Sequence, residues 1–190
     1  MAKIGQLLKR DKTVIAVDDD TLYKQVTIRT NYNGVVVRGT KMGVDIGTKR
    51  QFVVSAGQFI LSRIDARNGA FGIIPIELDG AIVTNDFWAF DIQENEVDLE
   101  FFNLLLQSPA FLTACIKASK GNTNRKRVDE EFFLNYEVDI PGPDLQRQVL
   151  EKIAALDEAA IEIEKQKMLV KNLRDAVIRD AIHADTDVAS

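Results

Sequence analysis

Few side chains in this sequence are spaced for bond-making chemistry. Glu77 and Asp79, in the run IELDGAIV, form a carboxylate pair of the kind that could hold a divalent cation in a nuclease. Such a site needs further acids and a lysine at strand spacing, and AIVTNDF supplies no lysine. A turn at Asp79-Gly80, reversing the chain in a hairpin, is the simpler expectation. GTKMGVDIGTKR is glycine-rich, but a phosphate loop needs Gly-Lys-Ser/Thr leading into a helix, and here Gly47-Thr48-Lys49 lies among strand-type residues. Cys115 is the one cysteine and His183 the one histidine, which leaves no Cys/His metal cluster and no intrachain disulfide. Cys115 sits in the apolar run FLTACI and reads as a small buried hydrophobe. No Rossmann-type fingerprint is present. The residues point away from an enzyme.

The chemistry that remains is recognition by charge. The chain carries a net charge of −5, yet KASKGNTNRKR, residues 117–127, holds five Lys or Arg and no acid. Lys120, Arg125, Lys126 and Arg127 crowd together there with Asn122 and Asn124. Lys41, Lys49 and Arg50 mark a second basic loop, and Arg67 and Asn68, in LSRIDARNGA, a third. Arg and Lys suit phosphates and guanine edges, and Asn suits adenine edges, so loops mixing these types have the composition that reading double-stranded DNA requires. For each loop taken alone, a solvated surface turn is the more ordinary reading. Arg63, at a strand end, is as well placed to pair with Asp65 or another acid as with a phosphate.

Two kinds of element must carry these loops. Up to Pro143, short runs rich in Val, Ile and Phe alternate with turn residues: VIAV, KQVTIRT, GVVVRG, QFVVSAGQFILSRI, FGIIPIEL, GAIVTNDFWAFDI and YEVDI. Asn33-Gly34, Asn68-Gly69 and Asp79-Gly80 are turn signals, and the spacing predicts a compact, largely antiparallel sheet. VDLEFFNLLLQ and SPAFLTACIKASKG interrupt it with helical periodicity; Asp98 and Ser108 are the expected N-caps, Pro109 a first helical residue and Gly121 the stop. A short helix is expected to begin at Val128 or Asp129.

From Leu145 to about His183 there is neither Pro nor Gly, and one long helix is expected, extending about 60 Å. Val149, Ile153, Leu156, Ala160 and Ile163 follow 4-3-4-3 spacing, and Val170, Leu173 and Val177 resume it after a phase break at Gln166 and Lys167. A helix folded back over its own sheet accounts for an apolar stripe but not for this length. The expected organisation is therefore α+β: a strand-rich domain with a helical insert at 1–143, a long coiled-coil-type helix at 144–184 and a frayed tail at 185–190. No apolar run is long enough for a membrane helix, and the start lacks the apolar block of a signal peptide, so a cytoplasmic protein with no membrane partner is expected.

In this order the parts resemble the specificity subunit of type I restriction-modification enzymes. The likeness lies in GQFILSRIDARNGAFGIIPIELDGAIVTNDFWAFDI, residues 57–92, in GNTNRKRVDEEFFLNYEVDIPGPDLQRQVLEKI, residues 121–153, and in the helix that follows. In that family a strand-rich target recognition domain ends in a Pro-containing stretch and a Leu-x-x-Gln pattern that opens a long helix; Leu145 and Gln148 stand at those positions. The resemblance implies a non-catalytic subunit that reads double-stranded DNA and directs a DNA methyltransferase subunit and a motor-nuclease restriction subunit. It implies no cofactor in this chain, with S-adenosylmethionine and ATP on those partners. A standard specificity subunit has two recognition domains and two such helices. This sequence has one of each, which implies a half-size form pairing as a homodimer through its helix to read a split symmetric site, whether natural short form, remnant or expressed half. The alternative is a helix-mediated regulatory protein that binds a methyltransferase or full specificity subunit without reading DNA.

Overall fold

The computed structural model describes residues 1–121 and 126–187, with side chains placed as far as residue 179. The chain divides into two compact units, Met1–Gln146 and Arg147–Ser190. The first begins with β1 (Ala2–Lys3), α1 (Ile4–Leu7), β2 (Leu8–Asp11) and β3 (Val14–Ala16). The long hairpin β4 (Leu22–Ile28) and β5 (Val35–Met42) follows, then β6 (Arg50–Val53), β7 (Phe59–Ser62), β8 (Phe71–Ile73), β9 (Ile82–Val83) and β10 (Phe87–Ile92). The insert comprises α2 (Leu99–Leu106) and α3 (Pro109–Ala118), and β11 (Ser119–Lys120), β12 (Arg127–Val128), α4 (Glu130–Asn135) and β13 (Glu137–Val138) close the unit. α5 (Pro143–Asp187) starts in the first unit and constitutes the second.

The strands do not share one sheet. They form a four-stranded sheet in the order β2-β10-β7-β8 and a five-stranded sheet in the order β3-β6-β9-β4-β5, besides the ribbons β1-β13 and β11-β12. Pairing is antiparallel throughout except for a single parallel bridge of β4 with β9, Gln25 to Ile82. The chain crosses between the larger sheets after β2, β6, β8 and β9, so neighbours in sequence are often not neighbours in a ladder.

Alternating burial explains why two sheets form. All four residues of β7 are buried. Phe59 and Leu61 point into a core shared with the helices, and Ile60 into a second core with Val26, Ile28 and Val35 of the long hairpin. Trp88 and Phe90 of β10 join the first core, and Ala89 the second. Successive strand residues face opposite sides, so a strand apolar at every position needs a layer on both faces. The layers are the helices, the four-stranded sheet and the five-stranded sheet. In the first core Phe59 stacks against Phe90, Phe102 and Phe111 at centroid distances of 5.9, 5.6 and 5.6 Å. Each fully buried phenylalanine contributes about 1.5–3 kcal/mol.

The expected caps at Asp98 and Ser108 are present, and Asp129, where a short helix is expected to begin, is the cap of α4. Asp98 accepts from the Glu100 and Phe101 N–H groups at 2.8 and 3.2 Å, Ser108 from Phe111 N–H at 3.3 Å, and Asp129 from Phe132 N–H at 2.9 Å. Pro109 opens α3. Three expectations need correction. The end of FGIIPIEL is a 3-10 turn, Ile76–Leu78, preceded by Pro75, which lacks an N–H for a ladder. Asp79-Gly80 does not close a hairpin, because β8 and β9 lie in different sheets; the Asp79 carboxylate instead accepts from Ala56 N–H at 2.9 Å. α3 stops at Ala118 rather than at Gly121, because Ser119 and Lys120 pair with Val128 and Arg127. Among the described residues α5 runs from Pro143 to Asp187.

The start of α5 is tied down by a residue outside the Leu145/Gln148 pattern. Gln146 is 2% exposed; its Oε1 accepts from Asp98 N–H at 3.0 Å and its Nε2 donates to the Pro141 carbonyl at 2.9 Å. Leu145 and Gln148 are exposed. At 45 residues the helix extends about 68 Å. Within the second unit, Ile153, Leu156, Ile163, Val170, Leu173 and Val177 are exposed on the expected stripe. Leu150, Ala154, Ile161 and Met168, at 4-7-7 spacing, make a second stripe on another face.

Candidate nucleic-acid interface

The loop between β7 and β8, residues 63–69, links three segments of the first unit. Arg63 N–H donates to the Asp86 carbonyl at 2.8 Å, and the Arg63 carbonyl accepts from Val128 N–H at 2.8 Å. At the other end of the loop, the Asn68 and Gly69 carbonyls accept from the N–H groups of Asn31 and Tyr32, at the tip of the β4–β5 hairpin, at 2.8 and 3.1 Å. Backbone bonds between loops hold wherever the side chains allow close approach, so this junction is rigid irrespective of the charges it displays.

Around Arg63 the junction is basic. The guanidinium carbon of Arg63 lies 4.7 Å from the centre of the Trp88 ring and that of Arg10 5.0 Å from the same ring. Arg63 Nη1 also donates to the Asn85 carbonyl at 3.2 Å. Its partners are thus a ring and a carbonyl. Among the described residues, Arg10 Nε and Nη1 and Arg63 Nε are buried without a hydrogen-bond partner; the electron-rich indole face offsets part of their charge, as does the Phe90 ring, 5.3 Å from the Arg10 guanidinium carbon. Burial pulls Arg10 down to about 10; Glu130 opposes that shift, Arg63 adds to it and Asp11 opposes it. Two like charges are therefore packed near one aromatic ring, an arrangement that an added anion would relieve.

Exposed ion pairs surround this centre. Arg127 Nη2 is 3.1 Å from Asp86 Oδ1, Lys120 Nζ 2.9 Å from Asp129 Oδ2, and Lys12 Nζ 4.0 Å from Glu130 Oε1. Lys120 lies over the Phe132 ring at 5.2 Å, and the Asp129 carboxyl is held below its ordinary range by the hydrogen bond from Lys120 and by the Phe132 N–H. Pairs this exposed are typically worth ~0–1 kcal/mol, so a phosphate can displace a carboxylate partner at little cost.

The structure thus unites two of the three basic groups read from the sequence. Lys120, Lys126 and Arg127 flank Val128, which is bonded to Arg63, and Arg67 and Asn68 lie further along the same loop. Asn68 Nδ2 donates to Asp65 Oδ1 at 3.2 Å. Asn122, Asn124 and Arg125 lie outside the described residues. The second group stands apart. Lys41 faces Tyr23 at the end of the β4–β5 hairpin away from its tip, and Arg50 pairs with Ala16 in the β3–β6 ladder. Lys49 Nζ is engaged by the Asp19 carboxylate and, at 2.6 Å, by the Gly43 carbonyl. Arg10 was not legible as a member of the site, because a single Arg in LKRD carries no signal until Trp88 is placed beside it.

Of the two carboxylates that suggested metal chemistry, that of Asp79 is engaged within the fold, and Glu77 is engaged through its backbone. Asp79 receives the Ala56 N–H, and the Glu77 carbonyl accepts from Lys24 Nζ at 2.8 Å. Among the described residues, no group of three or more His, Cys, Asp or Glu is placed to hold a metal ion. Cys115 is fully buried, and burial pushes its thiol up from the ordinary value.

Residues 3–170 match the family described as the type I restriction modification DNA specificity domain. Solved structures share the fold. One is the HsdS subunit from Thermoanaerobacter tengcongensis, 19% identical, with a TM-score of 0.63 over 85% of this chain. Another comes from work on complex assembly and conformational transition of the type I R-M system, 18% identical, with a TM-score of 0.67 over 86% of this chain. In both cases the match spans 43% of the solved chain. No curated protein matches.

Proposed function

The chain belongs to the type I restriction-modification DNA specificity family, and from that premise we propose that it is a non-catalytic DNA-recognition subunit whose reading surface is centred on the 63–69 loop. The observation that carries this reading is the junction itself: loop 63–69, the strand at Arg127–Val128 and the hairpin tip are joined by backbone hydrogen bonds beside two guanidinium groups packed on Trp88. Arg127, Lys126 and Lys120, with Arg125, contact backbone phosphates. Asn68 and Arg67 lie nearer the bases, and Asn122 and Asn124 are further candidate DNA contacts by residue type. Lys41, Lys49 and Arg50 take a lesser part, since they stand at the far end of the hairpin.

Catalysis belongs to partners in this reading. A methyltransferase subunit binds S-adenosylmethionine, a motor-nuclease subunit binds ATP, and the long helix docks the former. Two chains pair through α5 as a coiled coil, with Val149, Ile153, Leu156, Ala160, Ile163, Val170, Leu173 and Val177 in the seam. The distribution of charge favours an antiparallel pair. Residues 144–164 hold six acids and two bases, and residues 165–179 hold five bases and one acid. Antiparallel alignment sets the acidic half of each helix against the basic half of the other, whereas parallel alignment stacks like on like.

The internal ion pairs of Lys49, Lys120 and Arg127 favour a second reading, in which the chain occupies a methyltransferase through its helix without reading DNA. One experiment separates the two. Co-expression with a type I methyltransferase subunit, followed by mapping of methylated adenines, should reveal a split symmetric site. In the same complex, charge reversal at Arg125, Lys126 and Arg127 should weaken DNA binding and flatten its log-log salt dependence by ~0.9 per lost phosphate contact. Co-purification without sequence-selective methylation would support the interaction protein, and a monomer by light scattering at tens of micromolar would remove the self-pairing.

A further inference from the structure

We propose that the tip of the β4–β5 hairpin is a base-reading element, in which the side-chain amide of Asn31 contacts an adenine edge in the major groove. This rests on the DNA-recognition reading above and names a residue that no basic loop in the sequence suggested.

The tip is larger than chain reversal requires. The last ladder pair is Ile28 with Val35, so six residues, Arg29 to Gly34, make a connection that two can make. Within it Asn31 and Tyr32 both adopt left-handed backbone, with φ of 57° and 58°. Two consecutive non-glycine residues in that region persist only where surrounding structure holds them, and such positions gather at binding sites. Here the holding groups are identifiable. Arg29 N–H donates to the Gly34 carbonyl at 3.0 Å, and Asn33 Nδ2 donates to the Thr30 carbonyl at 2.9 Å. From outside, the Asn68 and Gly69 carbonyls take the N–H groups of Asn31 and Tyr32, and the Tyr32 ring meets Phe71 edge-on at 5.4 Å. Gly69, itself at φ 74°, is required for this approach, because a Cβ there would lie 3.2 Å from the backbone nitrogens of both Asn31 and Tyr32.

Two side chains of the tip help to hold its shape. The side chain of Asn33 closes the turn, and that of Tyr32 packs on Phe71. Asn31 is exposed, and its amide has no hydrogen-bond partner among the described residues. A donor and an acceptor are therefore presented on a backbone already ordered, which lowers the cost of engaging a base. The support also fits DNA: β5 is a sheet edge, so β4 and β5 form an outermost two-stranded ribbon, and a ribbon of that kind enters the major groove. An Asn amide matches the N6/N7 edge of adenine, while an aspartate in its place would accept from cytosine N4.

The test is binding-site selection from a randomised duplex pool, using the full chain assembled with a type I methyltransferase subunit. Asn31→Gly accepts the left-handed backbone and deletes the amide; Asn31→Asp keeps the shape and removes the donor. The expected result is that Asn31→Gly loses an adenine preference of about tenfold at one position per half-site while the other positions and the salt slope are unchanged. Asn31→Asp should move that position toward cytosine. Recovery of the wild-type site with all preferences intact in Asn31→Gly would overturn the inference and leave DNA recognition standing. A wild-type assembly that selects no site would instead overturn the DNA-recognition reading, and this inference with it.

Discussion

Arg63 lies with its guanidinium carbon 4.7 Å from the centre of the Trp88 ring, and Arg10 shares that ring at 5.0 Å. The indole is the one surface that accommodates both charges while Arg10 Nε, Arg10 Nη1 and Arg63 Nε lack hydrogen bonds among the described residues. Trp88→Leu removes that surface and also leaves a void in the first core. The expected loss is about 2–4 kcal/mol, read as a lower urea midpoint in far-UV circular dichroism. An unchanged midpoint would show that the two guanidinium groups do not depend on the ring.

Gln146 joins the start of the long helix to the cap of α2. Replacement by Leu removes both the acceptor for Asp98 N–H and the donor to the Pro141 carbonyl, in a side chain that is 2% exposed. Two backbone groups then lose their partners, and a stability loss of about 1–3 kcal/mol is expected. Gln148→Leu, at an exposed position, should change stability by less than about 0.5 kcal/mol. Equal effects at the two positions in denaturant titrations would contradict the assignment.

Cys115 is fully buried in the core, and burial pushes its thiol up from the ordinary value. Little thiolate is then present at neutral pH, and reagent must wait for the core to open. Labelling by a thiol-specific disulfide reagent should run on the order of a hundredfold or more slower in the native chain than in urea. Rapid native labelling would place the thiol in reach of solvent, against the structure.

Asp129 caps α4 and receives Lys120, whose hydrogen bond is the main reason its carboxyl stays below the ordinary range, followed by that of Phe132 N–H. A depressed folded value means a contribution fully present above the ordinary carboxylate pKa, near ~4, and lost as pH falls through the lower folded value. Asp129→Asn keeps an oxygen acceptor for the cap and removes the charge. The stability gap between wild type and variant should therefore be constant well above the ordinary carboxylate pKa and close as pH falls below it, through the lower folded value. A gap that does not change across that range would mean that the Lys120 contact contributes nothing.

Much of the local structure was legible before any coordinates. Caps at Asp98 and Ser108, the opening of α3 at Pro109 and the long helix after Pro143 depend on contacts within a turn or two of the chain, and residue type decides those. The 3-10 turn at Ile76–Leu78 was misread because a short apolar run beside a proline satisfies the strand pattern as well as a turn. The basic loops were visible as composition. Their grouping was not.

Taken by itself, the amino-acid sequence determined most of the strand-rich segments, the starts of α2 and α3 and the long helix, and it displayed basic loops suited to recognition by charge. Tertiary structure decided which strands share a sheet, that loop 63–69 meets Val128 and the hairpin tip while Lys41, Lys49 and Arg50 stand apart, that Arg10 joins Arg63 at Trp88, and that Gln146 rather than Gln148 is buried. The physical reason is the range of the forces. Periodicity and capping act over a few residues, but a backbone ladder accepts almost any partner strand, so the choice rests on burying both faces of β7 and β10 at once. That condition involves residues from Ile4 to Val138, and only the folded chain satisfies it.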